Sequence, residues 1–221
     1  MANKNDEQIL VLDKKPFNDL ELIEDMLETD ILESLSIGDS HALNKLLDGI
    51  YNEYGSTGRR GDMETNTNYL QPIPYIIIKK GNEYFTYTRL NNSGEERLHD
   101  KVSFGVGGHM NPVDGLETFK ELLAENAKRE LSEEVKITDS KDNEVDYGSI
   151  VSKLSVSGLI YSEDTDVDSV HLAIVYLLDL DTDYNVVVKE TDKLKGEFKT
   201  KEQIKDLNLE TWSNNALKVL K

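Results

Sequence analysis

Between residues 18 and 54 the apolar side chains fall at Leu20, Ile23, Met26, Leu27, Ile31 and Leu35, then at Leu43, Leu46, Leu47 and Ile50. Intervals of three and four place such residues on one face of a helix. Ser40 stands just before the second run, where it can cap it, and Gly55 stands just after it. Two helices are therefore predicted in this N-terminal part. Residues 55–68 contain one apolar side chain, Met63, among Gly, Thr, Asn and charged residues. That stretch reads as a surface loop joining two parts of the chain.

The texture changes after Pro74. Residues 75–78 form a continuous apolar run and residues 84–89 are aromatic and β-branched, with Gly81 and Asn82 between them. This pattern predicts a hairpin. Further strands are predicted at 102–104, 154–161 and 170–178, the last two separated by an acidic loop at 162–169. Helices are predicted at 119–135, 201–207 and 212–220. Strands interleaved with a few helices point to a mixed β-sheet covered on its faces, an α/β or α+β fold. With 221 residues the chain is about the length of one domain plus an extension. The division expected is an acidic extension over residues 1–60, with strand and helical elements, and a single domain over 61–221.

Composition narrows the function. The chain has 25 basic and 43 acidic residues, a formal charge of -18, which is the opposite of the basic footprint that long nucleic acid requires. The 31% of charged residues leave no apolar run long enough to span a membrane. Cysteine is absent, which excludes disulfides, thiolate nucleophiles and thiolate zinc sites. Residues 1–17 carry Asp6, Glu7 and Asp13 and lack the pattern of an export signal, so the expected location is cytoplasmic.

The chemistry concentrates in residues 107–137. Thr118 followed three residues later by Glu121 is a capping box, and Leu122, Leu123, Ala127 and Leu131 supply the apolar stripe of a helix. On that helix Glu130 lies one turn from Glu133 and Glu134, so three carboxylates can converge. Two carboxylates about 5 Å apart repel by roughly 3 kcal/mol at an effective dielectric near 20. Such a cluster is either solvated or holds a cation, and an oxygen-only donor set suits Mg²⁺ or Mn²⁺. From the triple alone, a solvent-facing acidic helix surface accounts for it equally simply.

The full spacing adds more. Gly115, Glu121, Arg129-Glu130-Leu131, Glu133-Glu134 and Ile137 match eight of the nine defined positions of Gly-x5-Glu-x7-Arg-Glu-U-x-Glu-Glu-x-Gly-U, with U aliphatic. This segment resembles the Nudix box of MutT-like hydrolases. Residues 71–75, 96–98 and 105–111 are similar to a MutT-related group of predicted phosphoesterases. Two positions depart from the pattern. Lys136 stands where the family has a glycine past the helix end, so the helix either bears a cost of about 1 kcal/mol or ends differently. The Gly107-Gly108 pair also precedes Gly115 by several residues instead of abutting the box.

The resemblance implies a Nudix-type αβα sandwich with a mixed β-sheet, to which an N-terminal helical element is added, and a Nudix hydrolase domain over 61–221. It implies that metal-activated water cleaves a phosphoanhydride bond in a nucleoside diphosphate linked to another moiety, with Mg²⁺ or Mn²⁺ as cofactor. Glu130, Glu133 and Glu134 match the metal-binding glutamates, Arg129 matches the arginine that orients one of them, and Glu121 is structural support. Many relatives use one more glutamate from a later loop. Glu190 is best placed for this, ahead of Glu197 and Glu163. Substrate contacts are expected from Arg89, Arg97, Gly107 and Gly108. Selectivity in the family lies in loops and dimer contacts, which brings a homodimer within the expectation. The competing readings are a Nudix-fold domain that senses a nucleotide or binds a protein without turnover, and simple metal buffering by the acidic loop.

The remaining polar features carry less. Asp164, Asp166 and Asp168 alternate like the start of a calcium loop, but Ser169 and Val175 stand where such a loop needs glycine and glutamate. This segment reads as surface. His99, His109 and His171 have no partner at a recognisable spacing and read as structural histidines.

Overall fold

The computed structural model describes residues 3–15, 40–90 and 101–220. The first predicted N-terminal helix, Arg97 and His99 lie outside the described residues. Within them the mixed α+β class with a mixed sheet is confirmed: antiparallel ladders are accompanied by a parallel bridge between Val102 and Leu209, and helices alternate with strands. The chain groups into two compact units. One comprises Met1–Pro74, Gly108–Asn126 and Val156–Val175, the other Tyr75–Gly107, Ala127–Ser155 and Tyr176–Lys221. No helix among the described residues is long and apolar enough to cross a membrane.

In the first unit, strand β1 (Gln8–Asp13) buries Ile9, Leu10, Val11 and Leu12 in succession. Consecutive buried residues mean that both of its faces are covered. Strand β2 (Gly55–Arg59) pairs with β1 from Gln8↔Arg59 to Leu12↔Gly55, and β3 (Tyr69–Lys80) pairs with it at Leu12↔Leu70. The loop expected over 55–68 therefore contains a strand, followed by a short helix, α2 (Arg60–Met63). With no apolar side chain, Gly-Ser-Thr-Gly-Arg offers no alternation to read, and its extended form comes from the ladder that β1 provides. The second predicted helix is present before it as α1 (Ser40–Tyr54). Its Ile50 joins Leu12, Leu70 and Leu172 in an apolar cluster, and its Tyr51 ring lies 5.2 Å from that of Phe119.

In the second unit, the predicted hairpin joins the end of β3 to β4 (Glu83–Arg89) through Gly81, whose φ of 60° is one that glycine adopts without strain. Strand β4 pairs along its whole length with a strand the sequence did not reveal, β10 (Leu194–Thr200), and also meets β5 (Val102–Ser103). A separate antiparallel pair consists of β6 (Val135–Thr138) and β9 (Asn185–Val188). Strand β7 (Ser155–Ile160), which belongs to the first unit from Val156 on, and β8 (His171–Leu180), which begins in the first unit and ends in the second, lie close to their predicted positions. The long helix α3 (Phe119–Glu134) does so as well. Helix α4 (Tyr147–Val151) starts on Asp146, which accepts hydrogen bonds from the Gly148 and Ser149 amides. Helix α5 (Lys201–Lys205) starts on a Thr200/Gln203 capping box, and α6 (Thr211–Val219) ends the described chain.

The two departures from the box pattern resolve structurally. Helix α3 passes directly into β6, where Lys136 pairs with Val187, and Asp142 is the one non-glycine residue with positive φ among those described. No left-handed cap is formed at Lys136, so no glycine is needed there. Gly115 has φ 82° and open space where a Cβ would stand. Its role is to turn the chain before the helix, not to let another group approach.

Candidate active site

Helix α3 opens on the predicted capping box. The Glu121 amide donates to Thr118 Oγ1 at 3.2 Å, while the Thr118 amide and hydroxyl donate to the Glu121 carboxylate at 3.3 and 2.8 Å. These bonds pull the Glu121 carboxyl below its usual pKa. They fully employ the side chain in starting the helix.

The other end of α3 presents the acids. Glu130 is 6% exposed, and Arg129 reaches it at 2.7 Å and Glu133 at 3.3 Å. One guanidinium thus fixes two of the three box carboxylates. Glu134 is half-buried in a densely packed position. Burial, then the negative charges of Glu130, Glu133 and Glu190, push its carboxyl up to about 8, with Arg89 opposing them. Burial is the larger cause, and the neighbouring carboxylates, only partly offset by Arg89, add to it.

The β6–β9 pair brings Glu190 to this end of the helix. The ladder runs on past Val188, where the Lys189 amide donates to the Glu134 carbonyl at 2.8 Å and the Lys189 ammonium to the Ser132 carbonyl at 2.6 Å. The next residue is Glu190, close enough to raise the Glu134 pKa and paired with Lys193 at 2.9 Å. The alternatives go elsewhere: Glu197 pairs with Lys199 at 3.0 Å, and Glu163 with Lys14. Arg89, at the end of β4, holds Glu210 at 3.0 Å and lies 5.8 Å from the Tyr87 ring centroid. Buried Tyr87 donates to the Gly105 carbonyl at 3.0 Å, and burial followed by the Glu134 charge holds its hydroxyl well above the usual phenol range. Gly107 follows Val106, whose backbone exchanges hydrogen bonds with Ile76 at 2.8 and 2.9 Å, and both Gly107 and Gly108 are half-buried.

One sequence expectation is corrected, and one contact is added that the sequence did not signal. His109 and His171, which have no partner at a recognisable spacing, meet in the fold: their Nε2 atoms are 3.1 Å apart and their ring centroids 5.1 Å apart, with Glu64 3.7 Å from His109. Burial holds His171 below the usual imidazole range, which favours its neutral ring. No local pattern signals this group, because its members are separated by more than 40 residues and one sits in the supposed loop. The acidic loop is also not wholly surface. Asp168 is 4% exposed and accepts the Thr165 hydroxyl at 2.7 Å.

No family model matches the chain. Protein YmaB of Bacillus subtilis is 40% identical over 166 residues, spanning 73% of this chain and 76% of that protein. Among solved structures, that of Tm1382, described as a candidate Nudix hydrolase, is 26% identical with a TM-score of 0.65 and covers 97% of this chain and 98% of its own. A Nudix hydrolase from Alicyclobacillus acidocaldarius is 13% identical with a TM-score of 0.47, over 67% of this chain and 90% of that one.

Proposed function

The chain belongs to the Nudix (MutT-like) superfamily, and from that premise we propose that it is a Mg²⁺- or Mn²⁺-dependent hydrolase that cleaves a phosphoanhydride bond in a small nucleoside diphosphate derivative. One observation carries this reading: Glu130, Glu133 and Glu134 stand at one end of α3, where Arg129 holds Glu130 at 2.7 Å and Glu133 at 3.3 Å, and the charges of Glu130, Glu133 and Glu190 all act on Glu134. The donor set is entirely carboxylate oxygen, which fits a hard divalent cation. Glu130, Glu133 and Glu134 would hold it. When bound, such an ion lowers the pKa of coordinated water and neutralises charge on phosphoryl oxygens.

The other side chains have separate tasks. Arg129 holds Glu130 and Glu133 in fixed positions, which removes the freedom they would otherwise lose on binding a ligand. Glu190 is a carboxylate outside the helix and is suited to accept a proton from the attacking water. Arg89 supplies positive charge beside the cluster. A polyanionic substrate approaching a protein of charge -18 needs such local compensation.

The test is incubation with Mg²⁺ or Mn²⁺ and a panel of dinucleoside polyphosphates, nucleotide sugars and nucleoside triphosphates. Phosphate-containing products should appear and should fall by roughly 100-fold or more in Glu134→Gln, the range for losing a group that acts on the reacting centre. Product formation unaffected by that substitution or by metal removal contradicts the proposal, as does a failure to turn over any member of the panel.

A further inference from the structure

Three side chains from well-separated stretches of the first unit meet with metal-ligating atoms facing one another. Glu64 follows the last residue of α2, His109 follows the glycine pair, and His171 opens β8. Their donor atoms all lie within 4.8 Å of one another. None of the three belongs to the box.

The hydrogen-bonding pattern fixes one ring. His171 Nδ1 lies 2.6 Å from the Val167 carbonyl, which can only accept, so Nδ1 carries a proton. In the neutral ring Nε2 is then a bare lone pair. Metal-bound histidines are oriented in this way, with the far nitrogen donating to a carbonyl. That lone pair faces His109 Nε2 at 3.1 Å, and His109 Nε2 also faces Glu64 Oε1 at 3.7 Å. Glu64 Oε1 also accepts from Arg60 Nε at 3.2 Å, so the His109 N–H can serve His171 Nε2, and a cation would take the place of that N–H while joining all three donor atoms.

We infer that Glu64, His109 and His171 form a second divalent-metal site, suited to Zn²⁺ or a similar borderline ion and leaving a coordination position open to water. Ligands at 2.0–2.1 Å around a tetrahedral zinc stand about 3.3–3.4 Å from one another, and the observed 3.1 and 3.7 Å bracket that spacing. Imidazole nitrogens select zinc, cobalt or nickel over magnesium. Among the charged groups that act on His171 are Glu64, Arg60 and Asp168, and Arg60 is tied to both Glu64 and Glu7 at 3.2 Å. The scaffold is held by backbone bonds on two of the three sides: the Leu10 amide donates to the Met110 carbonyl at 2.7 Å, and the Arg60 amide to the Glu7 carbonyl at 2.8 Å.

The experiment strips the full chain of metal and dialyses it against Zn²⁺, in a background where Glu130, Glu133 and Glu134 are all glutamine so that the box cannot contribute. One zinc per chain should remain bound, and affinity should fall roughly 10–100-fold or more in Glu64→Gln and His109→Asn. Co²⁺ in place of zinc should give visible ligand-field bands that disappear in both variants. Because a variant can lose its fold, circular dichroism is recorded for each. The unsubstituted trio must also gain thermal stability on adding Zn²⁺. The inference is overturned if that background binds no zinc, or if zinc binding and cobalt bands are indifferent to folded Glu64→Gln and His109→Asn. Either result leaves a hydrogen-bonded histidine pair and does not touch the box reading.

Discussion

Replacing Glu134 with glutamine separates what this residue costs the fold from what it contributes to a metal site. In the metal-free protein its carboxyl is pushed up to about 8 from an ordinary 4.5, so the folded chain binds the proton more tightly than the unfolded chain. Stability that is full below pH 4.5 is therefore lost as pH rises, and the loss continues until about pH 8. At pH 7 the cost is on the order of 2 to 3 kcal/mol, allowing for the solvent that still reaches a half-buried side chain. Glutamine has the same shape and no proton to lose. Without metal, Glu134→Gln should melt at the same temperature as the native protein near pH 4.5 and roughly 4–10 °C above it at pH 7. Saturating Mg²⁺ or Mn²⁺ should reverse the order, since the ion stabilises only the form that binds it. Thermal melts in chelator and in metal, taken across this pH range, read both effects. A variant that is less stable than the native protein in chelator, or a difference that does not grow with pH, refutes the reasoning.

Three further outcomes follow from the same contacts. Arg129→Ala releases Glu130 and Glu133 and should weaken Mn²⁺ affinity by roughly 10–100-fold, as measured by titration calorimetry, and should lower the melting temperature in chelator, since the buried Glu130 carboxylate loses this cation. Ser213→Ala removes the oxygen that accepts the buried Phe104 amide at 3.2 Å and contacts the Tyr75 hydroxyl at 3.0 Å. It should cost about 1–3 kcal/mol in a denaturant melt. Lys136→Gly restores the residue typical of the box yet should destabilise by about 0.5–1 kcal/mol in the same assay, because the position is strand and not a left-handed cap.

The legible parts of the fold are those whose signals are local. Thr118, Glu121 and the stripe at Leu122, Leu123, Ala127 and Leu131 announce α3, and Gly81-Asn82 announces the hairpin. Strands β2 and β10 escape notice because neither carries a run of apolar residues; each is extended because a neighbouring strand pairs with it. The same applies to β6, whose Val135 looks like the last residue of the helix until its pairing with Val188 is seen. At the candidate site, the spacing of Glu130, Glu133 and Glu134 on one helix suffices to predict their convergence. Glu190 could be ranked only by its position after a strand, and its approach depends on the β6–β9 ladder. Glu64, His109 and His171 had no readable relation, since three distant segments must fold before they meet.

We propose that the acids at the end of α3 hold a divalent ion, and anomalous diffraction from crystals soaked in Mn²⁺ locates such an ion without reference to activity. A manganese peak should appear bounded by the carboxylates of Glu130, Glu133 and Glu134 and should be lost in Glu134→Gln crystals. Ordered carboxylates with no peak between them, at a Mn²⁺ concentration that supports hydrolysis in solution, would contradict it.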